Sequence, residues 1–149
     1  MGGISSKALL LLIGRLMLAW VFIWAAIPKL QDPVAFSASI EGYRIVSGSL
    51  AMWVAIILPW LELVVGLGLI TPWLRQASAG TMASLLLLFI VLHSSAWSRW
   101  LDINCGCFGE STENPGYHWL ILRNLALLSI TIIILRAPRR NKTAPEHSN

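Results

Sequence analysis

The chain has 149 residues, of which 56% are hydrophobic and 12% charged, with a mean hydropathy of +0.70. A water-soluble domain of this size carries about a quarter charged residues, so the composition excludes an ordinary soluble globule and points to one unit whose solvent is lipid. The net charge of +4 rests on 11 Lys and Arg, most of them flanking apolar runs, which excludes an extended nucleic-acid surface; two Cys cannot form a disulfide scaffold.

Four apolar runs are long enough to cross a bilayer, for which about 20 residues are needed and about 17 suffice at the short end. The first spans Ala8–Ile27. Lys7 precedes it, but its core continues through Trp20, Phe22 and Trp24 with no small-residue cleavage site, which favours a retained helix over a signal peptide. A longer polar connection, residues 28–49, opens with Pro28-Lys29-Leu30-Gln31-Asp32-Pro33. The second run, Leu50–Ile70, leads through the tight turn Thr71-Pro72-Trp73-Leu74-Arg75-Gln76 into the third, Ala77–Trp97, so these two form an antiparallel hairpin. Residues 98–118 hold both cysteines and the turn signal Asn114-Pro115-Gly116. The fourth run is Trp119–Leu135, and a basic, polar tail from Arg136 to Asn149 is expected to be disordered. A helix satisfies its own backbone in hydrocarbon, whereas a strand does so only in a closed barrel. The expected fold is therefore all-α: a four-helix integral membrane domain over residues 1–135, with residues 136–149 as a tail.

With four spans, both termini and the short turn share one side. Lys7, Arg75, Arg136, Arg139, Arg140 and Lys142 lie there, against Lys29, Arg44 and Arg99 on the other. Positive charge marks the cytoplasmic side. Both termini are thus expected inside, and the cysteine segment outside, where thiols in a bacterium can be oxidised.

That segment reads Asp102-Ile103-Asn104-Cys105-Gly106-Cys107-Phe108-Gly109. Two cysteines around one glycine close only a small, strained ring, and strained disulfides have oxidising potentials suited to passing a disulfide onward. Arg99, Arg123, Lys29 and His93 are candidates to stabilise a thiolate at the same level. Two plainer readings stand beside this one: a structural loop disulfide, or half a metal site completed by His93 or His118, although the second half of a zinc pattern is absent.

Arg15 and Glu62 fall well inside spans, and Arg123 enters the fourth about one turn below its outer end, where it can snorkel to the interface. Arg15 and Glu62 each lie about 12 Å from the cytoplasmic end of the helix at 1.5 Å per residue, so they are expected to pair, as intramembrane charges normally do. The pair reads either as a packing element or as a polar spot for a quinone head group or proton relay. Pro59, three residues before Glu62, marks a kink. Trp97, Trp100 and Trp119 suit anchors at the membrane interface.

The elements Arg15-Leu16, Pro28-Lys29-Leu30-Gln31-Asp32-Pro33, Tyr43, Pro59-Trp60-Leu61-Glu62-Leu63, Cys105-Gly106-Cys107-Phe108-Gly109 and Arg123-Asn124 together resemble the methylamine-utilisation MauE branch of the DoxX-like membrane proteins. The resemblance runs from about Ile13 to Leu135, and the Cys-Gly-Cys-Phe-Gly string is its most specific piece. It implies a multi-pass protein of the bacterial inner membrane, tied to redox or disulfide maturation of exported proteins. In that family the best-known member supports formation of the disulfide-rich small subunit of methylamine dehydrogenase.

The sequence thus points to a thiol–disulfide oxidoreductase or its accessory protein, with Cys105 and Cys107 reacting with an exported or periplasmic thiol protein. The alternatives are a non-catalytic small subunit of a larger membrane complex and a bundle binding a membrane quinone.

Overall fold

The computed structural model describes residues 6–99 and 117–137, and every regular element among them is a helix. In chain order these are α1 (Ser6–Gln31), α2 (Pro33–Gly42), α3 (Ser49–Ile70), α4 (Arg75–Ser98) and α5 (Tyr117–Arg136). Cys105, Cys107, the turn at 114–116 and all but the first two residues of the tail expected at 136–149 lie outside the described residues.

Within α1, α3, α4 and α5, four segments are long and apolar enough to cross a membrane: Leu9–Gln31, Ser49–Ile70, Arg75–Ser98 and His118–Arg136. Their outer faces carry large apolar side chains with no covering protein, such as Trp20, Val64, Val91 and Leu122. In water so much exposed apolar surface is a liability; in lipid it is the expected exterior. The protein is a multi-pass membrane bundle.

The connection at 28–49 is more ordered than a polar linker. Pro28 lies inside α1, which runs on to Gln31. Asp32 then ends one helix and starts the next: its N–H donates to Pro28 O at 3.1 Å, and its Oδ1 caps α2 by accepting from Ala35 N–H at 2.9 Å. Pro33 occupies the first turn of α2, where a missing N–H costs nothing. Beyond α2, the Glu41 carboxylate accepts from Gly48 N–H at 2.6 Å and closes the return into α3.

Packing is close where side chains are small. α1 lies along α3 and α4 along α5, while α1 and α5 touch only sparsely. Ala19 and Ala26 of α1 and Ala51 and Ala55 of α3 are buried, the small-residue pattern by which membrane helices approach one another. Gly66 is a tight point of the α1–α3 contact: a Cβ there would stand 3.1 Å from Ile23 Cγ1 and 3.3 Å from the Ala19 carbonyl oxygen. Leu18, Phe22, Val65, Leu69, Met82, Leu86 and Leu127 fill the core.

Two glycines should therefore respond with opposite sign. Gly66→Ala is expected to lose about 1–3 kcal/mol, because the Ala19 backbone cannot yield as a side chain does. Nothing lies within 4 Å of a Cβ at Gly80 in α4, so Gly80→Ala is expected to gain about 0.5–1 kcal/mol from helix propensity. Unfolding in mixed micelles measures both; equal effects would show that the α1–α3 approach is not limiting.

Candidate functional site

The polar residues of the bundle are not scattered. Lys29 lies in the last turn of α1 and leans back along it, because helix side chains tilt toward their own N-terminus. Glu62, on the antiparallel α3, tilts the opposite way and meets it. Lys29 Nζ lies 2.6 Å from Glu62 Oε1 and 2.7 Å from Oε2, and both side chains are only 2% exposed. The ammonium also stands 5.2 Å from the Phe36 ring centroid and 5.5 Å from that of Phe89, an aromatic cage of cation–π contacts. Phe36 comes from α2, so the short helix supplies a cover for the lysine.

This arrangement corrects the expected Arg15–Glu62 pair. Arg15 instead donates from Nε and Nη2 to Leu69 O, at 3.2 and 2.8 Å, and from Nη2 to Ile70 O at 3.0 Å. It thereby satisfies carbonyls that the last turn of α3 leaves without amide partners. The Arg15 side chain tilts away from Glu62, which lies seven to eight residues, or about 11 Å, farther along α3. Equal distance from the helix ends was not enough; side-chain direction decided the partner.

Around the ion pair α4 and α5 complete a cavity of about 40 Å³. Its walls are Val21, Phe22, Ala25, Leu86, Phe89 and Leu127, and its polar lining is Lys29, Glu62, His93, Arg123 and Asn124. Such a volume holds about three waters. His93, 3% exposed, has Nδ1 2.6 Å from Phe89 O. A carbonyl only accepts, so Nδ1 carries a proton and donates. The Tyr43 ring stands edge-on to His93, with centroids 6.0 Å apart, and Arg99 Nη1 donates to Tyr43 O at 3.0 Å. Arg99 thus ties the end of α2 to the end of α4.

Of the residues singled out from sequence, the structure brings Lys29, Glu62, His93 and Arg123 to one cavity. Lys29 is buried and paired with Glu62. Arg99 lies outside the cavity lining and acts through Tyr43. Arg15 belongs to the opposite end of the α1–α3 pair. Cys105 and Cys107 lie outside the described residues, and His118 packs its ring against Trp97 at 4.7 Å. Sequence reasoning gave no role to Asn124, Phe36 or Phe89. Only Asn124 left a signal: two consecutive polar residues, Arg123-Asn124, inside an apolar span.

The family model described as "Methylamine utilisation protein MauE" matches residues 7–137. The methylamine utilization protein MauE of Paracoccus denitrificans is 32% identical over 121 residues, 80% of this chain and 65% of the relative. Its counterpart from Methylophilus methylotrophus is 32% identical over 127 residues, 83% of this chain and 66% of the relative. That from Methylorubrum extorquens is 32% identical over 104 residues, 69% of this chain and 56% of the relative. The chain therefore spans somewhat less than two thirds of the length of these curated relatives. No solved structure matches it.

The ion pair has a testable signature. Removing one member strands a buried charge, at a cost of about 3–5 kcal/mol. Lys29→Leu and Glu62→Leu are each expected to lose that much, and the double variant to recover at least half. Arg15→Leu combined with Glu62→Leu should instead add to within about 0.5 kcal/mol. Two double-mutant cycles on unfolding free energy decide; coupling in the second cycle and none in the first would reverse the assignment.

Proposed function

The chain belongs to the methylamine utilisation MauE family, and on that footing we propose that it is a membrane protein of methylamine utilisation that supports thiol–disulfide maturation of exported proteins. Cys105 and Cys107 are the exchanging pair. One observation carries this reading: α4 and α5, the helices that bound the cysteine segment, both deliver polar side chains to the buried cavity. His93 lies five residues before the end of α4 at Ser98, and Arg123 six residues after the start of α5 at Tyr117. At 1.5 Å per residue, both are about 8–9 Å along their helices from where the segment begins and ends. Ionisable groups inside a membrane are costly, and they mark function more often than they mark packing alone.

In the proposed exchange, a thiolate of the exported protein attacks one sulfur of the Cys105–Cys107 disulfide and forms a mixed disulfide. The partner's second thiol then attacks, and leaves both chains changed: partner oxidised, Cys105 and Cys107 reduced. Two electrons and two protons pass from partner to this chain, which a two-electron acceptor must later remove. The reading requires residues 98–118 on the oxidising side of the bacterial inner membrane and both termini in the cytoplasm, as the distribution of Lys and Arg favours.

Cys105→Ser and Cys107→Ser are expected to leave the amount of folded protein unchanged, since a ring this small adds little loop-closure stability, and to abolish partner oxidation. One of the two should hold a mixed disulfide with an already oxidised partner, formed by attack of its remaining thiol, because the second thiol of this chain that would release it is gone. Immunoblots of protein level, adducts and partner disulfide state read all three; normal partner oxidation in both variants overturns the exchange. Reporter fusions at Glu110 and Asn149 check the orientation, and a cytoplasmic signal from Glu110 would be incompatible with it.

A further inference from the structure

Asn124 carries a buried donor for which the described residues provide no acceptor. The residue is 3% exposed, and its Nδ2 has no hydrogen-bond partner among the described residues. A buried amide left unmatched is a standing cost in a low-dielectric interior, and a leucine would suit an apolar span without it. The donor lines a cavity in which Lys29 and Glu62 hold each other and His93 is anchored on Phe89 O. The cavity therefore offers a ligand a specific hydrogen bond from Asn124, beside a closed ion pair and the Arg123 side chain.

The way in is sideways. α1 and α5 meet only sparsely, whereas α1–α3 and α4–α5 are fully packed. Val21 and Ala25 on α1 and Arg123 on α5 are partly exposed, so the cavity reaches the surface along this seam. The outer faces around it are apolar, with Trp24 and Leu122 exposed on the two helices. A ligand entering there comes from the lipid, must be largely apolar, and must present an acceptor oxygen at one edge. We propose that this cavity is the head-group site of a membrane-soluble quinone, with one ring carbonyl accepting from Asn124 Nδ2. At about 40 Å³ the cavity takes the carbonyl edge, and the ring lies in the α1–α5 seam beside Ala25 and Phe89.

The choice of an electron-accepting ring, though not of the site, rests on the thiol–disulfide reading. Oxidation of the two cysteine thiols to a disulfide releases two electrons and two protons, and reduction of a quinone to a quinol takes up two of each.

The test uses the full chain in lipid nanodiscs with decylubiquinone, measuring bound quinone by extraction and folded state by thermal unfolding. Saturable binding beyond that of empty discs is expected. Asn124→Leu should weaken it about three- to tenfold, the value of one hydrogen bond. Ala25→Phe, which fills the seam, should block it with the bundle still folded, and this variant carries the test if Asn124→Leu does not fold. The Cys105→Ser/Cys107→Ser variant should bind as the parent does. No saturable binding, or parental affinity in both cavity variants, overturns the site and leaves a cavity that holds water alone. Parental binding together with normal partner oxidation in the cysteine variants overturns only the thiol–disulfide reading.

Discussion

A lysine buried among apolar helices must have a counter-charge at contact distance. For Lys29 that need is met by both oxygens of Glu62, and much of the surrounding structure follows from it. α1 continues past Pro28, so that Lys29 remains on a helix and its side chain points back into the bundle. α2 lies where Phe36 covers the ammonium from one side while Phe89 of α4 closes it from another. The pair contributes less through its own net energy than through the penalty attached to every arrangement that separates its members.

Arg15 works at the other end of the same two helices. Its bonds to Leu69 O and Ile70 O and the Lys29–Glu62 pair clamp α1 against α3 at two levels. Between the clamps, Gly66 and Ala19 permit close backbone approach. Sliding α1 by one turn would break both clamps at once and drive Ile23 into α3. Lipid gives no hydrophobic reward for choosing one helix register over another, so the polar contacts and the small residues must do so. The resulting frame fixes Lys29 and Glu62 as one side of the cavity to which α4 and α5 bring His93, Arg123 and Asn124.

Much of this was legible in the sequence because hydropathy over about 20 residues is a strong signal in a membrane protein. The four spans and the tight turn between α3 and α4 were readable directly. α2 was not: its ten residues, Pro33–Gly42, carry no strong periodicity, and the connection reads as polar because of Lys29, Gln31 and Asp32. Yet Asp32-Pro33 is a helix-start signal in its own right. The partner of Glu62 was missed because depth was counted from helix ends without asking which way each side chain leans. Asn124 could not be recognised as a binding group from sequence, since a single amide in an apolar helix gives no hint whether a neighbour accepts from it. Only the packed structure shows that none of the described residues does.

Pro28 and Pro59 lie within their helices, one residue before Lys29 and three before Glu62. Each lacks the N–H that would bond the carbonyl four residues earlier, on Trp24 and Ala55. In the register set by Arg15, these two missing rungs lie about one turn apart in depth. The α1–α3 pair is thus most compliant at the level of its buried charges. At that level each helix has one ladder bond fewer to strain when it bends, and the Lys29–Glu62 contact holds the two helices together there.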